Sequence, residues 1–202
     1  MLDEQLPPKP ATLQAIDEII DEIGAETDRG AAIFAASLLD EKLKRILSNF
    51  LLAGPAAKNL LSQSNAPLGT FSSRMNLAAA LALITEEEYK DCDIIRRIRN
   101  DFAHKFELSF SFENERVSTL CRNLLSFRLP EETDETYKKY SARRLFLIAV
   151  VYIQWSWRKR EEHVLNMRIK PIDWNPITWS YGEDEKHVGL HIEEWSKKHK
   201  KN

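Results

Sequence analysis

Side chains that can transfer protons or hold anions gather in one stretch, Arg96-Arg97-Ile98-Arg99-Asn100-Asp101-Phe102-Ala103-His104. At about 100° per residue, Ile94, Ile95, Ile98 and Phe102 share one arc of a helix, its core face. Arg97, Asn100, Asp101 and His104 form a separate polar stripe on neighbouring turns. Arg99 falls at the far border of the apolar arc, about 140° from His104. Within one chain these two side chains occupy different faces. Two copies around a dimer axis would bring an Arg99 and a His104 into one groove. A purely structural account also fits: cations complement the dipole at a helix C-terminus, Arg97 can pair with Asp101 one turn on, and His104 can bond a terminal carbonyl.

Other chemical signals are weaker. His187 and His191 stand four apart among Glu183, Asp184, Glu185 and Glu193, a spacing compatible with a metal. Gly189 between them and the solvated composition describe an ordinary surface segment, so no metal is expected. Asp40 and Glu41 are either partners for the arginines or solvent-facing. Cys92 and Cys121 lack a CxxC pattern or a histidine at ligand spacing, which fits buried thiols in a reducing compartment. There is no glycine-rich phosphate loop and no serine or cysteine nucleophile in a recognisable setting, so no cofactor is expected.

The elements that must position these residues are helical. Residues 1–10 read as an extended lead-in with Pro7, Pro8 and Pro10. Leu13, Ile16, Ile19, Ile20 and Ile23 recur at helical spacing up to Gly24. Asp28 is read as the N-cap of a longer helix to about Leu52, with small residues (Ala31, Ala32, Ala35, Ala36) in its first half. A short helix at 56–61 follows, then one capped by Thr70 or Ser72. Thr85-Glu86-Glu87-Glu88 is a capping box opening the helix that ends at His104. Phe106, Leu108, Phe110 and Phe112 alternate with polar residues, which predicts an extended segment. A helix at 116–125 and a long one at 137–165 complete the bundle. The centre of the last, Leu145 to Tyr152, is apolar all round, which implies burial against several partners or a subunit interface. Trp155 and Trp157 cannot share one helical face, so at least one serves an interface or the tail. Residues 166–202 are expected to form an irregular, aromatic-rich tail packed on the bundle, with Trp174, Trp179 and Trp195. A strand at Val188, Leu190 and Ile192 could pair with the Phe110 segment, and Lys197 to Lys201 reads as a frayed end. The fold class is therefore an all-α, single-domain bundle of six or seven helices spanning 11–165.

Charge narrows the partners. Lys and Arg total 29 against 31 Asp and Glu, a net charge of −2, without the basic excess that supplies affinity for duplex DNA or RNA. No signal peptide opens the chain, and the run Leu145–Trp157 is too short for a bilayer, so a cytoplasmic protein without membrane contact is expected.

The run Ala66-Pro67-Leu68-Gly69-Thr70-Phe71-Ser72-Ser73-Arg74, then the Leu/Ala helix, Ile84, Glu88-Tyr89-Lys90-Asp91 and the Arg/His segment, resembles the mannitol operon repressor family across about residues 26–125. Asp28 to Ala32 and Leu38 to Glu41 fit the same pattern. The resemblance implies a helical fold and negative regulation of transcription. With no helix-turn-helix in view, contact through a protein partner, by residues such as Arg74, Arg97 and Asp101 on a homodimer, is the expected mode. The string Arg99 to His104 also resembles the Arg-polar-x-x-x-His signature of the HEPN superfamily. That resemblance implies an alternative, a toxin-like, metal-independent endoribonuclease. His104 would be the acid or base, Arg99 would stabilise phosphate charge, and Asn100 would orient.

Overall fold

Thr27 starts the long first helix, α1 (Asp28–Phe50), because its hydroxyl accepts the Gly30 amide at 3.1 Å. In this computed structural model residues 21–62, 65–128, 134–171, 179–181 and 188–190 are described. The cap falls one residue before the expected Asp28. That carboxylate is used elsewhere: it accepts the Phe112 amide at 2.9 Å and pairs with Arg143. Six further helices follow among the described residues: α2 (Pro55–Ser62), α3 (Phe71–Ala80), α4 (Glu86–His104), α5 (Glu115–Arg122), α6 (Asp134–Lys138) and α7 (Ala142–Asn166). Residues 21–25 are also helical; the rest of the helix expected at 11–23 lies outside the described residues. The all-α bundle expected from periodicity is what forms.

Helix α1 packs against α7, α4 and α3. Its buried positions Ala31, Ala32, Ala35, Ala36, Leu39, Leu43, Ile46 and Leu47 repeat every three or four residues, so one stripe faces inward. The alanines allow close approach at the end where Arg29 reaches the carbonyls of Phe102 (2.6 Å) and Lys105 (2.5 Å). That contact joins the start of α1 to the end of α4, so the two run antiparallel. Arg143 beside Asp28 and Lys42 beside Glu161 make α7 parallel to α1.

Three expectations need correction. The helix foreseen at 137–165 is two helices, because Ser141 breaks the run and caps α7 by accepting the Arg144 amide at 3.2 Å. The Phe106–Phe112 segment is irregular rather than a strand. Phe112 is buried against Phe102 and Phe146, with ring centroids 5.0 Å apart in each pair, while Phe106 and Leu108 are fully in solvent. The strand β2 (Val188–Leu190) exists but pairs antiparallel with β1 (Trp179–Tyr181), not with Phe110. This hairpin belongs to a second compact unit beginning at Ile169. The His187/His191 pair, Trp174, Trp195 and the terminal lysines lie outside the described residues. Within α7, Trp157 is fully buried, whereas Trp155 is partly exposed beneath Lys159, whose Nζ sits 4.1 Å from the ring centroid. The greasy centre of α7 thus packs against α1 and α5. No described helix is long and apolar enough to cross a membrane.

Helix α3 ends in a paired closure. The Leu83 amide reaches Ala78 O at 2.8 Å and the Ala82 amide reaches Ala79 O at 3.0 Å. Such a closure needs a left-handed residue, and Ala82 supplies it at φ 54°. An alanine there is strained by about 1 kcal/mol, offset in part by glycine's larger unfolded-state entropy. Ala82→Gly, on an exposed site, should raise the unfolding free energy by about 0.5–1 kcal/mol in urea titrations; a loss would show that the turn is not strained.

Candidate functional site

A cleft of about 500 Å³ opens where α1, the start of α3 and the second half of α4 converge. One wall is the loop through Gly69 and Thr70 with the first residues of α3, Phe71 and Ser72. Thr70 caps that helix: its hydroxyl accepts the Ser73 amide at 3.1 Å, and the Ser73 hydroxyl accepts the Thr70 amide at 3.2 Å. Behind the loop Arg74 is only 7% exposed. Its Nη1 meets Asp40 Oδ1 at 2.5 Å, and its Nε and Nη2 donate to the carbonyls of Leu68 (2.8 Å) and Gly69 (3.4 Å). One guanidinium therefore ties α1 to the loop. Gly69 is needed there, since a Cβ would sit 2.8 Å from Ala66 O.

The facing wall is α4, whose start is fixed by the capping box read in the sequence: Glu88 N donates to Thr85 Oγ1 at 3.2 Å, and Thr85 N to Glu88 Oε2 at 2.8 Å. With Ile95, Ile98 and Phe102 buried, Arg96, Arg99 and Asn100 turn toward the cleft. Arg96 and Arg97 each approach Asp93 at 2.6 Å, so two cations share one carboxylate. Arg99 Nη1 donates to Asn100 Oδ1 at 3.0 Å and meets no carboxylate among the described residues.

The structure thus brings together Arg99 and Asn100 of the anticipated set, while Arg74 is buried behind the loop at Gly69. It does not bring His104 into the cleft; that imidazole is exposed and makes no hydrogen bond to another described residue. The pairing of Arg97 with Asp101 does not form. Arg97 turns back to Asp93, and Asp101 Oδ2 accepts from Arg116 Nε of α5 at 2.8 Å. Asp40 and Glu41 also divide. Asp40 holds Arg74, whereas Glu41 faces Lys44 and Arg45 of its own helix. Arg96, Ser72 and Asp40 are cleft residues that the candidate set omitted. For Arg96 the signal was present, since positions 96, 99 and 100 fall within about 100° on the same helical wheel.

The cysteines supply no nucleophile: burial pushes the Cys121 thiol up to about 12 and raises that of Cys92 well above its ordinary range. Among the described residues no three His, Cys, Asp or Glu side chains form a metal-holding group. A second cavity of about 490 Å³ is lined by Arg122, Arg128, Lys138 and Tyr137. There Arg128 donates to Leu124 O at 2.9 Å and to Arg122 O, and lies 5.1 Å over the Tyr137 ring of α6.

No protein-family model matches the chain, and no curated protein matches it. Among solved structures it is similar to a chain of the MtlR–HPr complex from Escherichia coli, at 21% identity and a TM-score of 0.49, covering 74% of this chain and 98% of that one.

Proposed function

We propose that the protein is a negative regulator of transcription of the mannitol operon repressor kind, acting by gripping a protein partner through the cleft between α1, α3 and α4. One observation carries this reading. Two of the segments that bear the resemblance put residues on opposite sides of one polar cleft, Gly69 to Ser72 on one side and Arg96, Arg99 and Asn100 on the other, and Arg74 of the first is spent on building it. A net charge of −2 favours a protein over duplex DNA as the direct partner. Affinity capture with wild-type protein as bait is the test, and HPr, named with the solved neighbour, is the first partner to try. The captured partner should be held at least ten times more weakly by Arg99→Glu, and equally well by Lys58→Glu on exposed α2. No partner, together with tight binding of operator DNA by the purified protein, would sink the proposal.

A metal-independent ribonuclease is the second reading, favoured by Arg99 and His104 both standing exposed with no carboxylate holding either among the described residues. It requires a homodimer that faces two such sets across one groove. Incubation with RNA in excess chelator decides: cleavage abolished by His104→Ala supports it, and no cleavage removes it.

A further inference from the structure

We infer that the cavity of about 490 Å³ between α5, α6 and the start of α7 binds a small organic anion, a monocarboxylate on an apolar body. It shares none of its described lining residues with the cleft between α1, α3 and α4. Its volume is that of a small-molecule site, and its walls are already built. Wholly buried Asp91 fixes one of them by accepting the amides of Leu125 and Ser126 at 2.9 and 2.8 Å. The other is α6, where buried Tyr137 stands edge-on to Phe127, ring centroids 5.5 Å apart, beneath the Arg128 guanidinium.

The lining divides into a greasy part and a cationic part. Leu125, Tyr137 and Leu145 make the first. Leu125 is 45% exposed although Asp91 holds its backbone, so a fixed loop presents that side chain to the space. Arg122, Arg128 and Lys138 make the second, and no acid is among the described lining residues. Two of these cations are engaged: Lys138 Nζ meets Glu135 at 2.5 Å, and Arg128 donates to the carbonyls of Leu124 and Arg122. Arg122 is the open one. Its guanidinium makes no hydrogen bond or ion pair with another described residue, and neither does the Asn123 carboxamide beside it. One open cation selects one negative charge, and a carboxylate fits the guanidinium fork with two parallel bonds. A polyol is disfavoured, because Leu125 and Leu145 offer its hydroxyls no partner. An acidic peptide would lay backbone amides along the same apolar lining without acceptors.

Amide NMR of the intact protein at constant ionic strength tests this, with octanoate below its micellar range, octanol, acetate and a capped Leu-Glu-Leu peptide as probes. Octanoate should shift the amides of Asn123, Leu125 and Lys138 saturably and leave those of Thr70 and Asn100 in the cleft unmoved. Octanol, lacking the charge, should bind about tenfold more weakly. Acetate, lacking the apolar body, should give no saturable shift. Arg122→Gln, at an exposed position where an unchanged melting temperature checks the fold, should weaken octanoate about tenfold and leave octanol as it was. No saturable octanoate shift, or shifts spread equally over the cleft, overturns the inference. Octanol binding as tightly as octanoate, or octanoate indifferent to Arg122→Gln, overturns the choice of an anion, and acetate binding as tightly as octanoate overturns the apolar body. A peptide that saturates the same amides at about a tenth of the octanoate concentration overturns the small molecule in favour of an acidic protein segment.

Discussion

Asp91→Ala should lower the unfolding free energy by about 2–4 kcal/mol, measured by chemical denaturation with an unchanged slope. Asp91 is wholly buried, and its carboxylate accepts the Leu125 amide at 2.9 and 3.1 Å and the Ser126 amide at 2.8 Å. Removing it leaves two part-buried amides without their side-chain acceptor, each costing about 1–3 kcal/mol, while the relieved desolvation of the carboxylate offsets part. That desolvation also raises the Asp91 pKa above its ordinary 3.8, against the pull of the two amides. The folded state therefore binds the proton more tightly than the unfolded one. Its contribution to stability is complete below the unfolded value and is lost as pH rises through the folded value. Relative to Asp91→Asn, the wild type should lose stability as pH climbs from about 4 toward neutrality. A wild type that instead gains on the variant over that window would show that the amides outweigh burial.

Glu88→Ala should cost about 3–5 kcal/mol. This carboxylate is 3% exposed and serves three partners: the Thr85 amide at 2.8 Å, the Ser156 hydroxyl at 2.9 Å and the Arg160 guanidinium. Its loss removes one of the two capping-box bonds of α4, leaving the Thr85 amide without its acceptor, and leaves a half-buried guanidinium in α7 without its counter-ion. Replacing both members, as in Glu88→Gln with Arg160→Met, should recover at least half of the loss, because no charge then remains buried alone. A double-mutant cycle measures the coupling, and a value near zero would mean that the bonds to Thr85 and Ser156 account for the effect.

The two predictions mark where the sequence can and cannot be read. That Glu88 closes a capping box is local information, three residues from Thr85, and α4 starts where that pattern puts it. That the same carboxylate meets Arg160 is not local, since 72 residues separate them. Asp91 looks like one more acid on a charged helix; its partners are backbone amides of a loop 34 positions away, and backbone groups leave no trace in residue type. The break before α7 escaped because apolar spacing continues through Tyr137 and Leu145, and only Ser141 marks it. The candidate site was half legible. The wheel turned Arg99 away from His104, and the structure keeps His104 outside the cleft. The cleft itself needs α1, α3 and α4 to meet, through an Arg74–Asp40 pair spanning 34 residues, and the periodicity of one helix cannot report that.

Helix α7 carries its polar ties at its two ends and leaves its middle greasy. Arg143 grips Asp28 and the carbonyls of Gly24 and Glu26 near the start; Ser156, Arg160 and Glu161 engage Glu88 and Lys42 further on; Arg168, just beyond, donates to Asn49 O at 3.0 Å. A cylinder oily on nearly all sides can slide or roll in its groove with little change in covered area. Shifting by one turn, about 5.4 Å, would unmake every one of these ties together. The oil holds this helix in the bundle, and the charged ends choose the single depth and rotation at which it stops.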